Sequence, residues 1–170
     1  MPKIETDPEY VFRANQRGDQ FLRISLLVDL PALPAMNKLF VGGEILGGYM
    51  RFLSSSIAIG GDISFGFNGT VGSNSLILVP MVFKFMYQPV AGKFEFPFIL
   101  GVGGIFETYL DRTYFGPVFK PEAGVFFRIT ADWSIGLTGG CLIMPQWYKD
   151  TSYNYTGIIP DVGLAARYHF

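Results

Sequence analysis

The chain has 170 residues, a net charge of −1 and only 16% charged residues, well under the roughly 25% of ordinary soluble domains. That balance gives no electrostatic case for nucleic acid as a partner, and the lone cysteine, Cys141, excludes an internal disulfide framework. Apolar residues make up 49%, yet long uncharged runs such as Ser64 to Phe83 are broken by Asn68, Gly69, Gly72 and Asn74, so none supplies the ~20 continuous apolar residues of a spanning helix.

Residues 1–19 are polar and charged without period-2 alternation, and read as an N-terminal segment distinct from the rest of the chain. No positively charged amino end precedes an apolar core, so no signal peptide is visible and the chain reads as a mature form. From Gln20 the alternation of a strand sets in, since successive side chains point to opposite faces. The first strand, Gln20 to Leu30, sets Leu22, Ile24, Leu26, Val28 and Leu30 against Arg23, Ser25 and Asp29. Pro31 and Pro34 end it. The second, Lys38 to Phe52, sets Leu39, Val41, Ile45 and Tyr49 against Gly42, Glu44 and Gly48. Arg51, at its end, is the one charge on an apolar face, where a long side chain can snorkel.

After a serine turn (54–56), the third strand, Ile57 to Asn68, opposes Ile63, Phe65 and Phe67 to Asp62, Ser64 and Gly66. The Asn and Gly of residues 68–74 form a turn. The fourth, Leu76 to Gln88, faces Met81, Phe83, Phe85 and Tyr87 one way and Lys84 the other. The fifth, Phe94 to Tyr109, places Phe98, Leu100, Val102 and Phe106 opposite Glu95, Gly101, Gly103 and Glu107. Residues 110–117 read as a loop. The sixth strand, Val118 to Ile129, sets Phe119, Val125 and Phe127 against Lys120, Glu122 and Arg128. The seventh, Trp133 to Gln146, sets Ile135, Leu137 and Cys141 against Ser134, Gly136, Thr138 and Gly140. A loop over 148–156 leads to the eighth, Gly157 to Phe170, with Val162, Leu164, Ala166, Tyr168 and Phe170 opposite Asp161, Arg167 and His169. Prolines 80, 97, 121, 145 and 160 fall inside these strands, where each removes a ladder donor, so bulges or lumen-side waters are expected there.

The polar faces decide which way the sheet is turned. They hold ionisable residues among glycines (Gly42, Gly48, Gly60, Gly66, Gly101, Gly103, Gly124, Gly136, Gly140, Gly163), not the Thr and Gln that coat soluble strands. Small residues suit a narrow lumen, where eight strands leave just enough room for side chains; on a solvated surface they only weaken a sheet. Aromatic residues fall near both sets of strand ends: Phe52, Phe85, Tyr87, Phe94, Phe96, Trp133, Tyr168 and Phe170 near one, Phe65, Phe67, Phe106, Tyr114, Phe115, Phe119, Trp147 and Tyr148 near the other. Two such bands mark the two membrane interfaces. The expected fold is all-β, an eight-stranded antiparallel up-and-down transmembrane β-barrel over 20–170.

The final strand, with Tyr168-x-Phe170 at the carboxyl terminus, resembles the closing-strand signature of small bacterial outer-membrane barrels of the OmpA/OmpX/OmpW type. That resemblance implies a bacterial outer-membrane location in contact with its lipid, both termini in the periplasm, and Tyr168 and Phe170 as an assembly signal read by barrel-assembly machinery.

The inward charges Arg23, Asp29, Glu44, Asp62, Lys84, Glu95, Glu107, Lys120, Glu122, Arg128, Asp161 and Arg167 are expected to form a lumen network. Pairs such as Lys120 with Glu107 and Arg128 with Glu95 would plug it, the upper lumen mostly acidic and the lower mostly basic. Phe40, Leu78, Phe126, Leu142, Met144 and Ile159 also fall on inward parity and could line an apolar pocket. No enzyme is expected: His169 is the sole histidine, no His-x-Ser pattern exists, zinc ligands are lacking, and Gly101–Gly104 is too short to cradle phosphate. No cofactor or metal is called for. The favoured function is a non-enzymatic barrel acting as scaffold, adhesin or partner of another envelope protein; the alternative is a narrow channel or binding barrel for ions or small apolar solutes.

Overall fold

The structure, a computed structural model, describes residues 15–31, 39–110, 112–147 and 155–170. Within them lie strands β1 (Gln20–Asp29), β2 (Leu39–Phe52), β3 (Ile57–Thr70), β4 (Ser75–Tyr87), β5 (Val90–Ala91), β6 (Phe94–Glu95), β7 (Phe98–Tyr109), β8 (Arg112–Arg128), β9 (Trp133–Gln146) and β10 (Tyr155–His169). They make eight staves, because β5 continues β4 and β6 leads into β7 without a change of register. Tyr87 pairs with Phe98 and Val90 with Glu95 in one continuous ladder. Pro89 and Pro97 merely lack the donors that would join them: each still accepts, from Phe96 N at 3.0 Å and Gly124 N at 3.0 Å. Every stave runs antiparallel to the next, and β1 with β10 and β8 with β9 complete the circuit. A closed barrel leaves no row of unpaired donors and acceptors, which hydrocarbon could not satisfy.

Outside and inside are the reverse of a soluble protein. Ile24 and Leu26 on the outer wall are 63% and 62% exposed, whereas Arg23, Lys84 and Lys120 are 4%, 2% and 0% exposed. The glycine-rich inner face has a steric cause as well. A Cβ on Gly60 would run into the carbonyl of Tyr49, and one on Gly163 into that of Leu26, so a larger residue would push neighbouring staves apart.

Three local expectations are corrected. Residues 112–117 are strand, not loop: Thr108 pairs with Thr113 and Tyr109 with Arg112, so β7 and β8 meet in a turn that holds Leu110 at φ 54°. A register shift between Leu39 and Gly42 puts both Phe40 and Val41 on the outer wall while Leu39 packs toward the lumen; an extra bulge residue breaks strict alternation. Phe52 is 1% exposed and turns inward against Phe21, ring centroids 5.9 Å apart, so it leaves the aromatic band. Residues 1–14, most of the loop after β1 and residues 148–154, with Tyr148, lie outside the described residues. Of the N-terminal segment, Asn15 is buried and Gly18 N donates to Phe52 O at 2.9 Å, which ties residues 15–19 to the barrel mouth.

Strand prolines concentrate on one seam. In β8 the even residues Gly124 and Arg128 donate toward β6, so the odd ones, Pro117 and Pro121 among them, face β9. The β8–β9 register that pairs Phe119 with Ile143 and Glu122 with Gly140 sets Pro117 opposite Pro145 and Pro121 opposite Cys141. The first of these rungs has no donor from either side, and pairing beyond Phe119–Ile143 stops. Hydrogen–deuterium exchange is expected to be faster at Phe119 and Ile143 than at the amides of β1. Restoring donors with Pro117→Ala and Pro145→Ala is expected to stabilise the barrel by about 1 kcal/mol per bond formed, read by denaturant unfolding in micelles.

Candidate functional site

The lumen is where the chain keeps its chemistry, and its charges lie in three tiers. The middle tier is centred on Glu122 of β8. Its Oε2 accepts from Arg23 Nη1 at 2.8 Å, and its Oε1 accepts from Lys84 Nζ, which also grips Asp62. Lys120 Nζ stands 2.5 Å from Glu44 Oε1 and 3.9 Å from Glu122 Oε1. Arg23 is steadied further by Ser25 Oγ at 2.8 Å and Thr138 Oγ1 at 3.4 Å. Arg23, Lys84 and Lys120 face Glu44, Asp62 and Glu122, so the tier is neutral. Charges taken out of water need such partners, since the desolvation cost is several kcal/mol per ion.

The tier at the end carrying the termini is basic. Arg167 Nη1 donates to Gln88 Oε1 at 2.7 Å and lies 3.4 Å from Glu95 Oε2. Its guanidinium is clasped between Phe126, 3.5 Å from the ring centroid, and Phe21 at 4.7 Å, a cation–π arrangement that gains where water is excluded. Arg128 Nε is 3.0 Å from Glu95 Oε1, and Arg128 Nη2 donates to Asn15 Oδ1 at 2.9 Å. His169 lies against Arg128, with Nε2 3.0 Å from Ser134 Oγ. Arg23 and Arg167 are cross-strand neighbours; sending one guanidinium to Glu122 and the other to Glu95 keeps the like charges apart.

The tier at the opposite end is acidic. Asp29 and Asp161 pair across the β1–β10 seam, and Glu107 accepts from Gln146 Nε2 at 2.5 Å. Apolar side chains fill the space the charges leave. Leu78, Val82, Ile105, Val118, Leu142, Met144 and Ile159 form one buried cluster, and Phe21, Met50, Phe52, Ala58, Met86 and Ile99 form another at the end carrying the termini. Between the ionic tiers an enclosed cavity of about 10 Å³ touches Arg23, Asp62, Lys84 and Arg167, room for about one water.

Thus all twelve charges expected to face inward do so, but their partners differ in part. Lys120 pairs with Glu44 and not Glu107, because the β7–β8 register sets Lys120 opposite Gly101 and Glu107 opposite Tyr114. The expected acidic-over-basic split is interrupted by the neutral tier: staves tilt against the barrel axis, which brings Glu122 to the height of Arg23 and Lys84. Of the apolar residues proposed to line a pocket, Phe40 is outside, Phe126 packs on Arg167, and Leu78, Leu142, Met144 and Ile159 pack on one another. The neutral partners Gln88, Ser134, Thr138 and Gln146 carry no charge signal, and only their inward parity could have singled them out. Among the described residues no group of three His, Cys, Asp or Glu side chains is assembled for a metal ion. Glu122→Ala strands the buried Arg23 and leaves Lys84 with Asp62 alone, and is expected to cost about 3–5 kcal/mol, measured by denaturant unfolding in micelles, with Glu122→Gln losing less.

A protein-family model matches residues 3–168. Two relatives from Treponema pallidum (strain Nichols), each an uncharacterized protein, align with the chain. One is 35% identical over 99 residues, 58% of this chain and 45% of that one. The other is 24% identical over 137 residues, 72% of this chain and 47% of that one. The chain therefore spans less than half the length of either relative. Among solved structures it is similar to the outer membrane protein OprG from Pseudomonas aeruginosa, with a TM-score of 0.61 and 10% identity over 92% of this chain and 98% of that one. Neisserial surface protein A gives 0.62 and 11% over 90% and 98%. Ail, the attachment invasion locus protein of Yersinia pestis, gives 0.59 and 11% over 91% and 100%. The family model covers nearly the whole chain, so the chain belongs to that family, and its fold is that of the small eight-stranded bacterial outer-membrane β-barrels.

Proposed function

We propose that this chain is a non-enzymatic outer-membrane barrel with a closed lumen, serving as a scaffold, adhesin or partner of another envelope component. The observation that carries the reading is the Arg23–Glu122–Lys84–Asp62 network, which crosses the lumen with its side chains buried. Filled above and below by apolar clusters, such a lumen offers a solute no continuous polar path. With the interior committed to holding the barrel shut, recognition falls to the outer wall and the turns. The adhesin reading agrees with the fold shared with the attachment protein Ail, which was solved in complex with a heparin analogue, sucrose octasulfate.

In this reading both termini lie in the periplasm and the opposite end faces outward. Tyr168 and Phe170 stack on the outer wall, ring centroids 6.1 Å apart, with Trp133 5.1 Å from Tyr168, a surface suited to the assembly machinery. Ser134 and His169 do not make a hydrolase: Ser134 is 0% exposed, with no room for a substrate beside it. The alternative, a narrow channel or binding barrel for ions or small apolar solutes, draws on the apolar cluster around Leu142 and Met144 and on the cavity beside Arg23.

Purified protein in planar bilayers is expected to give no stable single-channel openings. Sustained openings that lumen substitutions abolish would instead establish the channel. Replacing Phe170 by Ala is expected to lower the amount of folded barrel in the outer membrane, measured by heat-modifiable migration, while refolding in detergent is nearly unchanged.

A further inference from the structure

The outer wall has a dent that the chain's own packing does not explain. Two outward rungs cross from β1 to β4, Ile24–Gly47–Ile63–Met81 and Leu22–Tyr49–Gly61–Phe83. Each lacks one side chain, and the two gaps lie diagonally beside each other. The result is an open groove of about 970 Å³ with those six side chains at its rim. Inward glycines are explained by crowding, as Gly60 is by Tyr49, and Gly61 is explained in part, since a Cβ there would stand 2.9 Å from Val82 O. Gly47 is not: a Cβ on it would meet nothing within 4 Å. Glycine weakens a strand and often marks a close approach to its backbone, and on this wall the approach comes from outside.

A cation stands at one end of the groove. Arg51 is the next outward residue of β2 after Tyr49, exposed on the side of the termini. It is diagonal to Gly61, because Gly61 pairs with Tyr49 and Ile59 with Arg51. Its cross-strand neighbours, Gln20 and Ile59, bring no negative charge. Tyr49, between Arg51 and Gly47, donates its hydroxyl to Gln20 Oε1, a polar tip of the kind that settles at the membrane interface. From Arg51 to Gly47 is about 14 Å of strand, within the half-thickness of about 15 Å that one hydrocarbon leaflet has.

We propose that this groove binds one membrane phospholipid with a negatively charged headgroup, its acyl chain over Gly47 and Gly61 and its phosphate on the guanidinium of Arg51. The outer wall of a spanning barrel is immersed in hydrocarbon, so an apolar dent in it is filled by an acyl chain. A planar guanidinium meets phosphate oxygens two at a time, and a long side chain at a strand end reaches the headgroup layer by snorkelling. The carboxylates of the described strands all turn inward, so the wall of a second copy has none to set against Arg51. The site goes beyond the closed-lumen reading. It needs only that the barrel spans a membrane, whichever way it faces.

The test is native mass spectrometry of the refolded full-length barrel, released from uncharged detergent that contains equal amounts of dioleoylphosphatidylglycerol and dioleoylphosphatidylcholine. One lipid per chain is expected to stay bound, the anionic one favoured about fivefold, the worth of one basic side chain at an anionic lipid surface. Arg51→Gln is expected to erase that preference, whereas Lys93→Gln, which removes a cation from an exposed turn at the same end, keeps it. Gly47→Leu fills the groove where nothing in the chain obstructs a side chain, and is expected to lose retention of both lipids. Heat-modifiable migration shows that each variant compared is folded, and Arg51→Gln, at an exposed strand end, keeps the test in hand if Gly47→Leu folds poorly. Equal retention of the two lipids by the wild type would overturn the proposal, as would undiminished retention by folded Gly47→Leu. So would a lipid-free dimer that Gly47→Leu dissociates, since the groove would then belong to a second copy.

Discussion

One carboxylate, that of Glu122, holds the interior together. It receives Arg23 from β1 and Lys84 from β4 and stands near Lys120 of its own strand, so staves from opposite sides of the barrel meet on two oxygen atoms. Without it Arg23 would lose its counter-charge and Lys84 would be left with Asp62 alone. The other features depend on this arrangement. Glycines thin the wall so that long charged side chains fit within it, and apolar clusters seal the space that ion pairs cannot fill.

The outer wall obeys a different constraint. Hydrocarbon offers nothing to a donor or acceptor, so each backbone group must find its partner in the next stave. Prolines are tolerated where the loss is shared or falls at a strand end. Pro160 still accepts from Leu30 N at 2.8 Å, and Pro89 and Pro97 leave the register intact on either side. The β8–β9 seam is the exception, since two prolines meet there on one rung, and the barrel relies on the ladders flanking it.

Much of this was legible in the residues, and the limits have physical causes. Period-2 alternation gave the eight staves nearly to their ends, because one face must be greasy and the other cannot be. The Arg112–Pro117 segment reads as a loop because it has turn-forming residues, and only its partner strand, with Thr108 opposite Thr113, makes it extended. Phe40 reads as inward and lies outside because a bulge changes parity without leaving a mark in composition. Which charges face inward could be read from alternation; which charge meets which could not. Pairing depends on stave tilt, and tilt is a property of the closed barrel as a whole. That is why Lys120 found Glu44.

The pairing of β1 with β10 carries a last implication. These strands are the first and last of the barrel's staves in chain order, yet they zip together from Phe21–His169 to Asp29–Asp161 without interruption. Until the last stave meets the first, the unclosed wall is a curled ribbon with two raw margins, each a template on which another chain can pair. Closure of this barrel is therefore a race between joining its own far edge and joining a neighbour. The advantage goes to whatever keeps each unclosed chain in isolation.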